Sequence, residues 1–429
     1  MKNIWSTLGE LRGFLILWCT QTLSTLGSAM TNFALVIWAY EQTGSALSTA
    51  LLTVASYAPY VAMSIFAGAL SDRWNKKLTM LASDTFAAAC TVAVMLLLAT
   101  DNLQIWHLYG LNALNGLMNT IQQPAGDVAT SLLTPKKHYQ KVSGLRSFSN
   151  SLVSILTPVL ATALLAFTSL QTVILIDLAT FLLAFFALLI FVKIPDVARK
   201  EAQEGVLRAA RKGLQYLKEN RGILNLMFFL AAINFTASIY NAALPAMLLS
   251  KTGSETALGA VNAASGLAML VGSGIATLAP APKSRVRVIC NALLISMSTE
   301  NFFLAFGQST PVWCLGAVLG WLPIPLMNAN MDVLFRSTIP VEMQGRVYAC
   351  RNTLQFFTIP LGYLAGGALV DRVFEPFMAA QSADGLLAQV FGVGKGSGAA
   401  LLFLVLAFMG ILTCLIFRRV KSIWRLERE

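Results

Sequence analysis

Three carboxylates occur well inside long apolar runs of the sequence, at Asp84, Asp177 and Glu300, whereas Asp127 and Asp332 lie near the ends of their runs. A carboxylate surrounded by hydrocarbon is disfavoured in its charged form, so it can take up and release a proton reversibly. Each of these acids is therefore a candidate proton carrier. We rank Glu300 first because no basic residue lies near it in the sequence. The alternative, a structural acid held by hydrogen bonds, stays open for all three.

Amide and hydroxyl side chains recur at helical spacing within the apolar runs. Polar faces are costly in lipid unless they face the interior of a bundle, so the pattern predicts a polar cavity. The candidate lining residues are Gln21, Ser28, Asn32, Asn115, Asn119, Asn234, Ser238, Asn241 and Asn328. Because these groups carry no charge, the cavity suits a large amphipathic solute that is neutral or weakly cationic. Hydrogen bonding that only joins neighbouring helices is the open alternative.

Several kinds of chemistry are disfavoured by what the sequence lacks. It has no Gly-x-x-x-x-Gly-Lys-[Ser/Thr] loop for nucleotide phosphates. Its six cysteines form no Cys-x-x-Cys pair, and two histidines are too few for a histidine-rich metal centre. No nucleophile and base converge within the apolar runs. The sequence thus predicts neither an enzyme nor a cofactor or metal site.

The elements that must position these residues are membrane helices. Of the 429 residues, 56% are hydrophobic and only 12% are charged, against about 25% charged in soluble domains. Backbone groups at membrane depth must be paired internally, so long apolar runs form helices. We predict an all-α membrane protein with twelve transmembrane helices. The spans cover approximately 13–40, 46–70, 77–100, 104–130, 143–167, 170–192, 222–249, 256–279, 287–307, 311–335, 346–370 and 397–417. Pro323 and Pro325 predict a kink or break in the tenth span.

The net charge of +11 carries topological information. With a cytoplasmic N-terminus, all but three of the 31 Lys and Arg residues fall on the cytoplasmic side, the exceptions being Lys251, Arg372 and Lys395. This asymmetry follows the positive-inside rule. It predicts a multi-pass protein of the cell membrane with both termini in the cytoplasm. The basic residues are interpreted as a rim facing anionic lipid, not as a nucleic-acid site.

The chain shows signs of two related halves. Asp127 and Pro135 at the end of the fourth span recur with the same spacing as Asp332 and Pro340 at the end of the tenth. Such a repeat predicts two six-helix bundles related by a pseudo-twofold axis, with the binding site between them at the midplane. We expect bundles at 1–192 and 222–429, joined by a cytoplasmic amphipathic linker at 193–221.

The connection between the second and third spans carries a charged motif. It reads Gly68-Ala69-Leu70-Ser71-Asp72-Arg73-Trp74-Asn75-Lys76-Lys77. The motif resembles the major facilitator superfamily signature Gly-x-x-x-Asp-Arg-x-Gly-Arg-Arg, in which Arg and Lys exchange. The matching residues are Gly68, Asp72, Arg73, Lys76 and Lys77. Asn75 replaces the second glycine, and asparagine tolerates a left-handed turn almost as well.

The resemblance implies a conformational gate on the cytoplasmic side. Asp72 is expected to accept hydrogen bonds at the start of the eleventh span, where the helix dipole favours an anion. Lys76 is placed to pair with Asp127. A mirror pair is expected between Asp332 and Arg285 or Arg287, and Arg351 is assigned to the same gate. A turn with topological charge alone is the simpler alternative.

Within the superfamily, the chain is most similar to bacterial efflux proteins of the macrolide-efflux and siderophore-exporter type. The pointers are the Thr43-Gly44-Ser45 turn and Gln344-Gly345-Arg346-Val347 at the start of the eleventh span. This resemblance implies a monomeric, proton-coupled exporter of amphipathic small molecules that works by rocker-switch alternating access. An uptake carrier or lipid or lysolipid transporter of the same fold is an alternative. A membrane-embedded receptor or enzyme is the alternative of another class.

Overall fold

A computed structural model describes residues 10–135, 138–195, 206–340, 347, 350–351, 353–382 and 384–427. Within these ranges, side chains are described except at 64–73, 139–141, 143–144, 147, 206–210 and 336. All regular secondary structure in this part of the chain is helical. The predicted fold class is thus confirmed at the level of secondary structure.

Six long helices form the first half of the chain. They are α1 (Arg12–Thr43), α2 (Ala46–Arg73), α3 (Lys76–Ala99), α4 (Ile105–Leu132), α5 (Tyr139–Phe167) and α6 (Leu170–Ile190). A shorter helix, α7 (Val206–Glu219), occupies the predicted linker. In α7, Leu217 is buried while Arg211, Lys212 and Lys218 are exposed, as an amphipathic helix requires.

The second half begins with three long helices, α8 (Arg221–Thr252), α9 (Glu255–Leu278) and α10 (Arg285–Phe306). The tenth predicted span is divided into α11 (Thr310–Trp321) and α12 (Ile324–Thr338). The break falls at the two prolines that predict it, because Pro325 fits the first turn of α12. The remaining elements are α13 (Thr358–Leu369), a π-helical segment (Val370–Phe374), α14 (Glu375–Ala379), α15 (Leu386–Phe391), α16 (Ser397–Arg418) and α17 (Lys421–Arg425).

Eleven helical stretches in the described residues are long and apolar enough to cross a membrane. The remaining predicted span, α4, is helical over 28 residues but is not among the eleven. Its amide side chains lower its apolarity, and they include the predicted cavity residues Asn115 and Asn119 as well as Gln122. The polar side chains predicted to line a cavity are therefore what separates α4 from the other spans.

The chain divides into two compact units. The first unit comprises Met1–Trp38 and Ala55–Val206, and the second comprises Ala39–Val54 and Leu207–Glu429. The end of α1 and the start of α2 therefore group with the second half of the chain. The predicted bundle limits at 192 and 222 remain a prediction.

Close helix contacts build each unit. In the first unit, α3 packs against both α4 and α6. In the second unit, α10 packs against α16 and α8 against α13. At Gly362 of α13, an added Cβ would lie 2.6 Å from the Phe235 carbonyl oxygen of α8. Small residues thus allow backbones to approach closely in lipid, where packing takes the place of a hydrophobic driving force.

Asn75 corrects one detail of the sequence analysis. Its φ of −63° is not left-handed, so it does not substitute for the conformational freedom of glycine. Its side-chain oxygen instead accepts a hydrogen bond from the Leu78 N–H at 3.0 Å. Asn75 is thus the N-cap of α3, a position that asparagine favours because it satisfies a free N–H group.

Candidate functional site

Asp84 of α3 is the centre of a polar cluster in the first unit. Gln21 of α1 donates its amide N–H to Asp84 Oδ2 at 3.1 Å. Gln122 of α4 donates to the other carboxylate oxygen, Oδ1. The carboxyl group is thereby held by two neutral amides from two different helices, and no ion pair to it occurs among the described side chains. Such a group accepts a proton without having to break a salt bridge.

A second acid, Asp177 of α6, lies close to α1. It is only 4% exposed, and Ser28 donates its hydroxyl hydrogen to Asp177 Oδ1 at 2.9 Å. Gly27 permits this approach, because an added Cβ there would lie 3.0 Å from the Asp177 Cα. The sequence predicted both Ser28 and Asp177 as functional, and the structure brings them into direct contact.

The two acids line one cavity of about 310 Å³, here called the carboxylate cavity. Helices α1, α3, α4 and α6 form its walls. Six of the site residues predicted from the sequence line this cavity: Gln21, Ser28, Asn32, Asp84, Asn119 and Asp177. Neighbouring hydroxyl and apolar side chains complete its wall. Within the described part of the chain, no Lys or Arg lies in its wall. The sequence placed the amides and the acids in separate roles, but the structure places them around one space.

A second cavity of about 280 Å³, the arginine cavity, is lined by α1, α3, α4 and α5. It shares Gln21, Thr25 and Gln122 with the carboxylate cavity. Its wall also contains Asp127 and Arg146, whose side chains pair at 2.5 Å. The two amides that bind Asp84 therefore belong to the walls of both cavities.

Asp127 does not form the ion pair with Lys76 that the sequence predicts. Its partner is Arg146 of α5, not Lys76. Lys76 donates to the Trp74 carbonyl oxygen at 3.2 Å. Arg146 reaches Asp127 because α5 places its basic side chain opposite the end of α4, a tertiary contact that the loop motif could not reveal.

In the second unit, Glu300 of α10 is 5% exposed and takes part in a compact hydrogen-bonded group. Tyr240 of α8 donates its hydroxyl to Glu300 Oε1 at 2.5 Å, and Trp321 donates its indole N–H to the same oxygen at 3.0 Å. Trp321 is the last residue of α11, directly before the proline break. Trp321 is not among the site residues predicted from the sequence, although the proline break marks its position.

The other polar residues predicted to line the cavity fall into two groups, one exposed and one bonded to backbone. Asn241 of α8 and Asn328 of α12 are exposed, as lining residues would be. Ser238 is buried and donates to the Asn234 carbonyl oxygen at 2.7 Å. Asn234 itself donates to the Gln355 carbonyl oxygen at 3.3 Å. The described contacts of Ser238 and Asn234 are thus made with backbone. Asn115 in α4 has a buried side-chain oxygen that finds no hydrogen-bond partner among the described residues.

The predicted gate residues are only partly described. Gly68, Asp72 and Arg73 lie in α2, and their side chains fall outside the described set. Lys77 donates to the carbonyl oxygens of Leu189 and Val192 at the end of α6, where the helix dipole favours a cation.

The second ion pair predicted for the gate, between Asp332 and Arg285 or Arg287, is also not formed within the described residues. Arg285 donates to the Asn330 side-chain oxygen at 3.1 Å, and Asp332 makes no ion pair within the described residues. Arg285 lies in the first turn of α10, and Asn330, two residues before Asp332, is the polar side chain of α12 that it reaches. Arg351 lies over the Phe335 ring, with its guanidinium carbon 5.4 Å from the centroid.

Comparison with known proteins gives one family. The model of the Major Facilitator Superfamily matches residues 17–363. Macrolide efflux protein A of Streptococcus pyogenes is 24% identical over 368 residues, covering 84% of this chain and 90% of the relative. The MFS-type transporter YfiS of Bacillus subtilis, described as uncharacterized, is also 24% identical, covering 84% and 88%. These matches confirm the predicted family.

Solved structures support the same fold. A point mutant of the nucleoside transporter NupG superposes with a TM-score of 0.72 at 14% identity, covering 94% of this chain and 98% of its own. A bacterial homolog of the human lysosomal transporter Spinster, inward-facing and unoccupied, gives 0.63 at 13% identity, with 97% of both chains covered. At these identities the likeness establishes architecture alone.

Proposed function

Because the chain belongs to the major facilitator superfamily, whose members are transporters rather than enzymes, we propose that it exports amphipathic small molecules in exchange for protons. The observation that carries this proposal is the carboxylate cavity, where amide, hydroxyl and carboxyl groups surround about 310 Å³ of space within one helical unit. The likeness to proteins named macrolide efflux protein A supports export of a drug-like solute.

The lining of the carboxylate cavity indicates the class of substrate. Ligand sites for small molecules commonly measure about 300 to 1,000 Å³ and combine apolar walls with a few polar groups. Here Leu178 and Phe181 supply apolar surface, while Asn32 and Asn119 supply hydrogen-bonding groups. The two acids favour neutral or cationic solutes and disfavour anions, since no basic side chain occurs among the described residues of this wall. We therefore assign amphipathic molecules that carry an amine or no charge.

We assign proton exchange to Asp84. It lines the carboxylate cavity, and its two amide partners, Gln21 and Gln122, also line the arginine cavity. A proton at Asp84 can therefore be exchanged with either space through a small rearrangement of neutral side chains. Asp177 is the second acid of the same wall. Glu300, ranked first on sequence alone, lies in the second unit under two hydrogen bonds to one oxygen, an arrangement suited to a structural acid.

The proposed orientation decides which membrane vesicles report export. With both termini in the cytoplasm, the basic residues face the anionic inner leaflet of the cell membrane. Export is then uptake into inside-out vesicles, which separates an exporter from an uptake carrier of the same fold.

The test uses inside-out membrane vesicles that are energised by respiration. A macrolide or a cationic dye is added to the external medium. We expect accumulation that an uncoupler abolishes. Asp84→Asn, which keeps the shape and both amide contacts possible, should lower uncoupler-sensitive accumulation by at least about tenfold, because an amide cannot carry the proton. Asp101→Asn is the matched control, since Asp101 lies in the exposed loop after α3.

Three results would contradict parts of the proposal. Accumulation that the uncoupler does not reduce excludes proton coupling. Accumulation only in right-side-out vesicles reverses the direction of transport. Full uncoupler-sensitive accumulation in Asp84→Asn, with loss in Asp177→Asn or Glu300→Gln, removes Asp84 from the coupling role.

A further inference from the structure

We infer that Asp371 forms a latch that closes the membrane side opposite the chain termini. Asp371 lies in the π-helical segment after α13 and reaches the turn between α1 and α2. Its Oδ2 accepts hydrogen bonds from Ser45 Oγ at 2.6 Å and from the Leu47 N–H at 2.9 Å. Its Oδ1 accepts from the Ala46 N–H at 3.0 Å. One carboxylate thus binds three donors at the start of α2.

The start of α2 depends on this carboxylate for its capping. Helices begin with N–H groups that have no partner in the helix, and an anion is favoured there by the helix dipole. Ser45 Oγ also accepts from the Ser48 N–H at 3.1 Å, while it donates to Asp371. The first three N–H groups of α2 are therefore satisfied by Ser45 and Asp371 together. Asp371 completes a cap that the local sequence supplies only in part.

The backbone around Asp371 is shaped for this contact. The π-helical turn at Val370–Phe374 widens the helix where the carboxylate leaves it, and π-turns concentrate at functional positions. One turn earlier, Gly367 lies against α2, so that an added Cβ would be 2.5 Å from the Leu47 Cα. A glycine at 367 therefore brings the start of α2 within reach of Asp371.

Two further residues hold the same turn. Lys395 donates to the Gly44 carbonyl oxygen at 2.6 Å and lies 5.6 Å from the centre of the Tyr40 ring. The Tyr40 hydroxyl lies 2.6 Å from Ser250 Oγ. The turn is thus bound by the π-helical segment, by the end of α8 and by the loop before α16. These contacts explain why Ala39–Val54 belongs to the second unit.

The latch has a consequence for transport, which rests on the proposed function. Helices α1 and α2 continue from this turn into the first unit, at Trp38 and Ala55. Alternating access requires one bundle to move against the other. The turn must then leave Asp371 whenever this side of the membrane opens. The sequence predicts a corresponding role for Asp72 at the opposite end of α2, so that the two acids would close opposite sides.

The test measures whether the turn becomes accessible when the latch is removed. In a chain whose six natural cysteines are replaced, Thr49→Cys places a thiol at a position only 3% exposed. Intact cells are treated with a membrane-impermeant maleimide. We expect the Thr49→Cys labelling rate to rise at least about tenfold in Asp371→Ala, as expected from the loss of three hydrogen bonds to a charged group. Efflux should change as well, because closure of this side is weakened.

Matched variants make the result specific. Asp384→Asn removes a negative charge from an exposed site on the same connection and should leave labelling unchanged. Gln42→Cys, at an exposed position in the last turn of α1, should label equally fast with and without Asp371. Where Asp371→Ala does not reach the membrane, Ser45→Ala removes one of the three contacts and should give a smaller rise.

The outcomes separate the latch from the proposed function. Equal labelling of Thr49→Cys with and without Asp371 overturns the latch. Faster labelling with unchanged efflux overturns its role in the transport cycle. Faster labelling in a chain whose unaltered form moves no substrate supports the latch and contradicts the proposed function.

Discussion

Replacing Tyr240 with phenylalanine removes one hydroxyl group from the buried cluster around Glu300. The ring itself keeps its contact with Phe403, whose centroid lies 5.5 Å away. Glu300 Oε1 loses the donor at 2.5 Å and keeps the Trp321 N–H at 3.0 Å. Because Tyr240 and Glu300 are 6% and 5% exposed, bulk water cannot replace the lost hydrogen bond.

The size of the effect follows from the burial of both partners. A hydrogen bond contributes about 1 kcal/mol when both groups are neutral and about 1.5 to 3 kcal/mol when one is charged. We therefore expect Tyr240→Phe to lower the free energy of unfolding by about 1 to 3 kcal/mol. The assay is unfolding of the purified protein in mixed micelles, titrated with sodium dodecyl sulfate.

Tyr57→Phe provides the matched control for this measurement. Its hydroxyl makes no hydrogen bond within the described residues, and the residue is 40% exposed, so the change in the free energy of unfolding should stay within about 0.5 kcal/mol. A cycle that combines Tyr240→Phe with Glu300→Gln should give a coupling energy of about 0.5 to 3 kcal/mol. Equal effects of the two tyrosine replacements, or strict additivity in the cycle, would refute the reasoning.

Two other replacements test helix packing and the exposed ion pair. Gly116→Ala would place a Cβ 2.0 Å from the Ser56 carbonyl oxygen, so α2 and α4 must separate, and unfolding should become easier by about 1 to 3 kcal/mol. Gly110→Ala on the same helix meets no described atom within 4 Å and should be neutral or stabilising in the same titration. Arg146→Ala removes the half-exposed pair with Asp127 and should change the free energy of unfolding by less than about 1 kcal/mol; a larger loss would show that the pair is shielded from water.

The helices and the chemistry-bearing residues were predictable from sequence because both are local properties. Apolar runs give the spans, and Pro323 and Pro325 give the break in the tenth. The acids stand out because charge is rare in such runs. Their partners were not predictable, since Gln21 and Asp84 meet only when α1 and α3 adopt particular rotations about their axes.

Asp371 shows most clearly what the sequence conceals. It ends an apolar run beside Arg372, where charge normally marks nothing more than the membrane boundary. Its role depends on the π-helical turn and on the arrival of α2 from more than 300 residues away in the sequence. Asp127 is similar, because the loop motif suggested Lys76 as its partner whereas the folded chain pairs it with Arg146.

The polar face of α4 has a consequence for how the protein is made. A segment enters the bilayer from the translocon by partitioning, and α4 falls below the apolarity of the other spans. In the folded protein, Gln122 of α4 donates to Asp84 of α3, and Gln123 accepts a hydrogen bond from Tyr60 of α2. These two amides therefore find their partners on helices that precede α4 in the chain. We therefore expect membrane integration of α4 to depend on helices synthesised earlier, so that the order of biogenesis would be part of how the carboxylate cavity forms.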